Sequence, residues 1–136
     1  MGDGNLTIRV YFQDTDAGGI VFHAAYLNFF ERARTEWLRE IGVTQNFLKN
    51  AYDMLIIVRK INVRYLRPGF LDDLLTVRTS LCEIGRAQIT FSQTVLRDDE
   101  KLIWGRINLA FVSVKHMRPK VMPITLREKF DSFCNC

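Results

Sequence analysis

Proline is scarce, with 3 residues, and glycine modest, with 8, in a chain of 136. Disordered and fibrous chains are far richer in both, so those readings fail. No apolar run approaches the ~20 residues that a membrane-spanning helix needs, and no stable membrane insertion is expected. Met1-Gly2-Asp3-Gly4-Asn5 holds neither a basic nor an apolar region, so no secretory signal is read there. Leu6 stands where N-myristoylation needs Ser or Thr. Asn5-Leu6-Thr7 spells a glycosylation sequon, which without a secretory signal is a chance match. Cysteine is confined to Cys82, Cys134 and Cys136. An odd number without metal-ligand spacing points away from a disulfide framework or zinc site. It points toward incidental thiols in a reducing, cytoplasmic compartment. A Walker loop, a dinucleotide glycine motif, a G-x-S-x-G elbow and H-E-x-x-H are all absent.

What remains is ordinary globular composition, 48% apolar and 25% charged, sized for a single domain over residues 1–136. The formal charge of +4 suits an anionic ligand without identifying one. Arg59, Lys60, Arg64, Arg67, Arg86 and the basic run 115–120 accompany no nucleic-acid motif, so nucleic acid is not an expected partner.

Residues 6–12 alternate Ile8, Val10 and Phe12 against Arg9 and Tyr11, the pattern of a half-buried strand. A loop with two glycines follows, and then the period changes. Tyr26, Phe30, Ala33, Trp37 and Ile41 recur every three or four residues, with Phe29 and Leu38 widening the stripe. This predicts an amphipathic helix over 24–41, ended by Gly42. Arg32 and Glu36 are spaced for an i,i+4 ion pair. Thr44 is placed to cap a short second helix running through Tyr52. Strand patterns follow over 55–66, 74–84, 87–96 and 102–114. Arg67-Pro68-Gly69, Gly85-Arg86 and a polar turn at 98–101 separate them. Residues 115–123 read as a basic exit loop and 125–133 as a terminal helix. The layout is α+β, with the last four strands in an antiparallel meander and five strands covering one long helix. An open sheet leaves edges that a second copy would protect, so a homo-oligomer is expected.

The stretch 14–23, Asp14-Thr15-Asp16-Ala17-Gly18-Gly19-Ile20-Val21-Phe22-His23, sets two carboxylates and a glycine pair before the helix start. A helix N-terminus offers free N–H groups and partial positive charge. A carboxylate beside it pairs a base or nucleophile with an oxyanion donor. The structural alternative is a pair of aspartates punctuating a loop. Asp14, Asp16 and Gly19 also match part of a calcium loop. However, Gly18 and Ala25 stand where a third Asp or Asn and the bidentate Glu belong, which removes that reading. His23 lies where its backbone N–H matters more than its ring, and His116 falls in the exit loop. Glu31 follows two phenylalanines, and burial there would raise its pKa toward acid or base use. Glu36 reads as a surface residue.

The segment VYFQDTDAGGIVFHAAYLNFFERARTEWL closely resembles the signature of the YbgC-type acyl-CoA thioesterases, relatives of the 4-hydroxybenzoyl-CoA thioesterases. The resemblance is most specific over residues 9–38 and continues more loosely through VRKINVRYLRPGFLDDLLTVRT. It implies the hot-dog fold, a five-stranded antiparallel sheet wrapped around one long central helix, assembled as a dimer or a tetramer of dimers. It implies Asp16 as the catalytic carboxylate and the His23 backbone N–H as the group that polarises a thioester carbonyl. Gly18 and Gly19 would leave room for that carbonyl, and Val21, Phe22 and Tyr26 would contact substrate. Coenzyme A phosphates would sit on basic surface groups, with Arg86 the candidate. A sister group of hot-dog thioesterases carries its carboxylate mid-helix, where Glu31 stands, but the Asp16 motif is the better match. The implied reaction is hydrolysis of an acyl-CoA to a carboxylic acid and coenzyme A, with Asp16 as nucleophile or general base. No metal or resident cofactor is implied, because coenzyme A is part of the substrate. A non-catalytic binder of acyl-CoA or acyl carrier protein, and an enoyl-thioester hydratase, stay open as alternatives.

Overall fold

The computed structural model describes residues 3–134. The three-to-four-residue spacing read over 24–41 forms α1 (Ala25–Glu40). Its stripe of Tyr26, Phe29, Phe30, Ala33 and Trp37 is buried, while Glu31, Arg32, Glu36, Arg39 and Glu40 face outward. The ion pair on that outer face is Glu36–Arg39 at 3.3 Å rather than the expected Arg32–Glu36. α2 (Gln45–Tyr52) follows, with Thr44 Oγ1 accepting the Phe47 N–H at 3.1 Å, the capping role its residue type predicts.

The strands are β1 (Asp3–Arg9), β2 (Met54–Tyr65), β3 (Leu74–Ile84), β4 (Gln88–Arg97) and β5 (Glu100–Ser113). They form one antiparallel sheet in the order β1-β3-β4-β5-β2. β3, β4 and β5 are the expected meander, but β2 is not its first strand. It pairs instead with β5 at the opposite edge, from Met54↔Ser113 to Tyr65↔Ile103. Strand alternation carries no information about such long-range pairing. β1 also stops at Arg9, short of the expected Phe12, because its partner strand begins at Leu74, opposite Arg9. The chain then turns through a 3-10 segment, Phe12–Asp14, which leaves Phe12 80% exposed.

One cross-strand row carries the helix. Gly4 pairs with Thr79, Thr79 with Gln93, Gln93 with Gly105, and Gly105 with Val63, so the row spans all five strands. A Cβ on Gly4 would lie 2.8 Å from Trp37 Cδ1, and one on Gly105 only 2.6 Å from Phe30 Cε2. Between them the fully buried Gln93 donates from Nε2 to the Phe30 carbonyl and to Thr79 Oγ1, both at 2.9 Å. Its Oε1 accepts from Arg34 Nη1 at 3.1 Å. Burial pushes the Arg34 guanidinium down to about 10, opposed by the Glu31 carboxylate, so it remains a cation at neutral pH.

α3 (Ile124–Asp131) buries Leu126 and Phe130, the latter packed 6.0 Å from the Phe111 ring. A parallel bridge between Leu81 and Cys134 then lays the tail along β3. Cys134 is a free thiol whose Sγ donates to the Cys82 carbonyl at 3.2 Å. No helix among the described residues is long and apolar enough to cross a membrane.

Gly105→Ala should cost about 1–3 kcal/mol of unfolding free energy by overpacking Phe30. The urea midpoint should fall at unchanged slope. An unshifted midpoint would show that the helix sits less tightly on this row than the contact implies.

Candidate active site

Between β1 and α1 the chain doubles back. Thr15 and Val21 form an antiparallel bridge, the Asp16 N–H donates to the Ile20 carbonyl at 2.9 Å, and the Phe22 N–H donates to the Asp14 carbonyl at 3.1 Å. Gly19, at φ +78°, permits the reversal. This narrow hairpin lays residues 14–16 alongside residues 20–22, immediately before α1.

The two aspartates then separate by environment. Asp14 is buried, and its Oδ2 accepts the Tyr11 N–H at 2.9 Å. It shapes the loop. Asp16 is exposed. Its Oδ1 accepts the Gly18 N–H at 2.9 Å, and its Oδ2 has no partner among the described residues. Asp16 is therefore the carboxylate left open to solvent and ligand.

The helix start is equally open. Ala24 at the N-cap has no side chain to cap it, and the first turn of α1 contains no acidic residue. The His23 N–H makes no hydrogen bond among the described residues, whereas the His23 carbonyl accepts from Tyr65 Oη at 3.0 Å. The imidazole is exposed, edge-on to Phe22 at 6.4 Å. An unfilled positive dipole end can stabilise developing negative charge, and a free carboxylate can act as base or nucleophile.

A second segment braces the hairpin. The Val21 N–H donates to the Gly69 carbonyl at 2.9 Å, the Leu71 N–H to the Gly19 carbonyl at 3.0 Å, and Ile20 bridges Phe70. The Gly69 N–H donates to Tyr26 Oη at 2.8 Å. A Cβ at position 69 would lie 3.1 Å from Tyr26 Oη and 3.3 Å from Val21 Cγ2, so the approach favours glycine. Burial raises the pKa of the Tyr26 hydroxyl, against the opposing pull of the Gly69 N–H, and keeps it protonated at neutral pH. Val21, His23, Tyr26, Tyr65, Pro68 and Ile103 line a cleft of about 280 Å³ at this point.

Val21, His23 and Tyr26 thus meet at one cleft, Gly18 and Gly19 shape the hairpin beside it, and Phe22 is half-buried against the core. Arg86 is not brought here. It is exposed in the turn after β3, whose other end lies by the site, where Val10 donates to the Asp73 carbonyl. The 11 residues of β3, at ~3.3 Å each, put about 30 Å between them. Glu31 is exposed, its Oε2 accepting from Thr35 Oγ1 at 3.3 Å, so the burial considered for it is absent. Glu36 and His116 are exposed too. Sequence reasoning missed Tyr65 and Gly69, reading them as a strand residue and a chain break. Their signal was the RYLRPG stretch inside the looser resemblance.

Comparison with known proteins shows the family. A family model described as "Thioesterase superfamily" matches residues 18–103. The chain is 40% identical over 126 residues to "Acyl-CoA thioesterase YbgC" of Haemophilus influenzae, covering 93% of each. A probable thioesterase from Bartonella henselae superposes with a TM-score of 0.83 at 31% identity, covering 89% of this chain and 99% of the other. The DHNA-CoA thioesterase of Staphylococcus aureus superposes at 0.89 with 18% identity over 97% and 91% of the two chains, a likeness of fold alone. The α+β architecture is that of a hot-dog thioesterase. Within that superfamily the chain belongs to the YbgC-type acyl-CoA thioesterases.

Tyr26→Phe keeps the buried ring but strands the Gly69 N–H, which should cost about 1–3 kcal/mol in denaturant titration. Tyr65→Phe removes only an exposed bond to the His23 carbonyl, and its cost should be no more than about 1 kcal/mol. Equal costs would contradict this difference.

Proposed function

We propose that the protein hydrolyses acyl-CoA thioesters to a free carboxylic acid and coenzyme A at the hairpin-to-helix junction. One observation carries the proposal: an open carboxylate, Asp16, stands on a hairpin that leads directly into a helix start whose cap is vacant and whose His23 N–H is unengaged among the described residues. The thioester carbonyl oxygen binds at that N–H, and the α1 dipole stabilises the charge that develops on it. Asp16 then acts in one of two ways. Its carboxylate attacks the carbonyl carbon, the C–S bond breaks, and water hydrolyses the resulting mixed anhydride. Alternatively it takes a proton from water, whose oxygen attacks directly. In both routes coenzyme A leaves as a thiolate that is protonated by solvent. Coenzyme A enters and leaves with the substrate, and no resident cofactor takes part.

We further propose that the working unit is a homodimer, two of which can pair into a homotetramer. β2 is 12 residues long and bonded on one side only, at the sheet edge. It exposes Ile57, Val58, Ile61 and Tyr65, an unprotected apolar edge of the kind a second copy covers. Arg86, distant from its own Asp16, would reach substrate phosphates only from a partner chain. The expected compartment is the cytoplasm, and an acyl carrier protein is an alternative thioester carrier.

Free thiol should be released from some members of a panel of short, long and aromatic acyl-CoAs. Asp16→Asn should lower kcat at least 100-fold while substrate still binds, in line with the ~10²–10⁴-fold contributed by a positioned acid or base. Release that survives the substitution would overturn the role of Asp16. No release from any substrate would favour a non-catalytic binder, and hydration of an enoyl-CoA without thiol release would favour a hydratase. Ile57→Glu together with Ile61→Glu should shift sedimentation from dimer to monomer. An unchanged sedimentation coefficient would place the interface elsewhere.

A further inference from the structure

We propose that Arg97 is a positioning residue for the reaction, acting through the segment 68–73 on the hairpin that carries Asp16. This rests on the reading of the site given above. Arg97 ends β4 and meets the cleft lining only at the Pro68 carbonyl, yet its guanidinium gathers four groups. Nη1 donates to Asp73 Oδ2 at 2.7 Å and to the Pro68 carbonyl at 3.4 Å. Nη2 donates to Glu100 Oε1 at 2.8 Å. The guanidinium carbon lies 5.5 Å from the centroid of the Phe70 ring. The side chain is 26% exposed, so solvent screens these contacts only partly. The two carboxylates also hold the guanidinium pKa above its ordinary value.

Each contact fixes the same short segment. Asp73 Oδ2 also accepts the Phe70 N–H at 2.9 Å, so one carboxylate oxygen ties Arg97 to the backbone of residue 70. Glu100, at the start of β5, takes Arg97 on one oxygen and Arg67 Nε on the other at 3.2 Å, anchoring the start of the segment to the sheet. The segment needs such anchoring, because Asp72 sits at φ +72°, a region that non-glycine residues occupy only when their surroundings impose it.

The far side of the segment is the hairpin's brace. Its Gly69 carbonyl and Leu71 N–H bond Val21 and Gly19, and Ile20, which bridges Phe70, accepts the Asp16 N–H. Contacts therefore run without a gap from Arg97 through residues 68–73 to residues 19–21, and from there to Asp16. A planar fork that meets two carboxylates, a carbonyl and a ring face is a task for arginine, which lysine fulfils only in part.

The test measures kcat and KM separately for thiol release by Arg97→Met and Arg97→Lys, beside Asp16→Asn. A displacement of about 1 Å at a reacting group can cost on the order of 100-fold. Arg97→Met should therefore lower kcat by about 10- to 100-fold, with KM within about twofold, since Arg97 does not touch substrate. Arg97→Lys should recover part of the loss. Should Arg97→Met fail to fold, Asp73→Asn carries the test, with a smaller fall in kcat at steady KM expected. The inference is overturned by a wild-type kcat per folded molecule in these variants, or by a change confined to KM. If Asp16→Asn itself keeps full activity, the fault lies in the reading of the site and not in the role of Arg97.

Discussion

The structure depends on how closely α1 can lie on the sheet. The row Gly4, Thr79, Gln93, Gly105 and Val63 is the seat. Two of its members have no side chain, and Phe30 and Trp37 occupy the space that a Cβ would take. Apolar burial is non-directional and would hold the helix at many positions along its axis. The hydrogen bonds of Gln93 to the Phe30 carbonyl, Thr79 and Arg34 specify one position, because a shift would leave fully buried polar groups unpaired. Packing thus supplies most of the attraction, and one buried amide selects the register.

The site inherits that register. The vacant cap at Ala24 and the open His23 N–H stand where the seated helix puts them. Tyr26 joins the two regions: its ring lies in the core beside Phe29 at 5.9 Å, and its hydroxyl accepts the Gly69 N–H that braces the hairpin. Burial sorts the two aspartates, using Asp14 to hold the turn and leaving Asp16 available. Asp16 thus sits on a loop that is tied to rigid elements at several points, which limits how far its carboxylate can drift.

Features written in local pattern were legible in the sequence. The stripe of α1, the Thr44 cap and the limits of β3 follow from periodicity and residue type, and the Asp16 hairpin stood out as an acid before a helix start. Features that depend on distant pairing were not. The crossing of β2 to β5, the end of β1 at Arg9, and the bracing of residues 19–21 by residues 69–71 arise between segments far apart in the chain. Gln93 was partly legible, since it falls in phase with Ile89, Phe91 and Val95 and so had to point inward. Its partner Arg34, by contrast, is one charged residue among several along α1 and is nearly as buried as the core around it.

The most direct measurement is a crystal structure of Asp16→Asn with an intact acyl-CoA bound. The account predicts the thioester carbonyl oxygen about 2.7–3.1 Å from the His23 nitrogen, the range required of an oxyanion donor, with the side chain of residue 16 facing the carbonyl carbon. A thioester bound away from the start of α1, with the His23 N–H still unengaged, would contradict it.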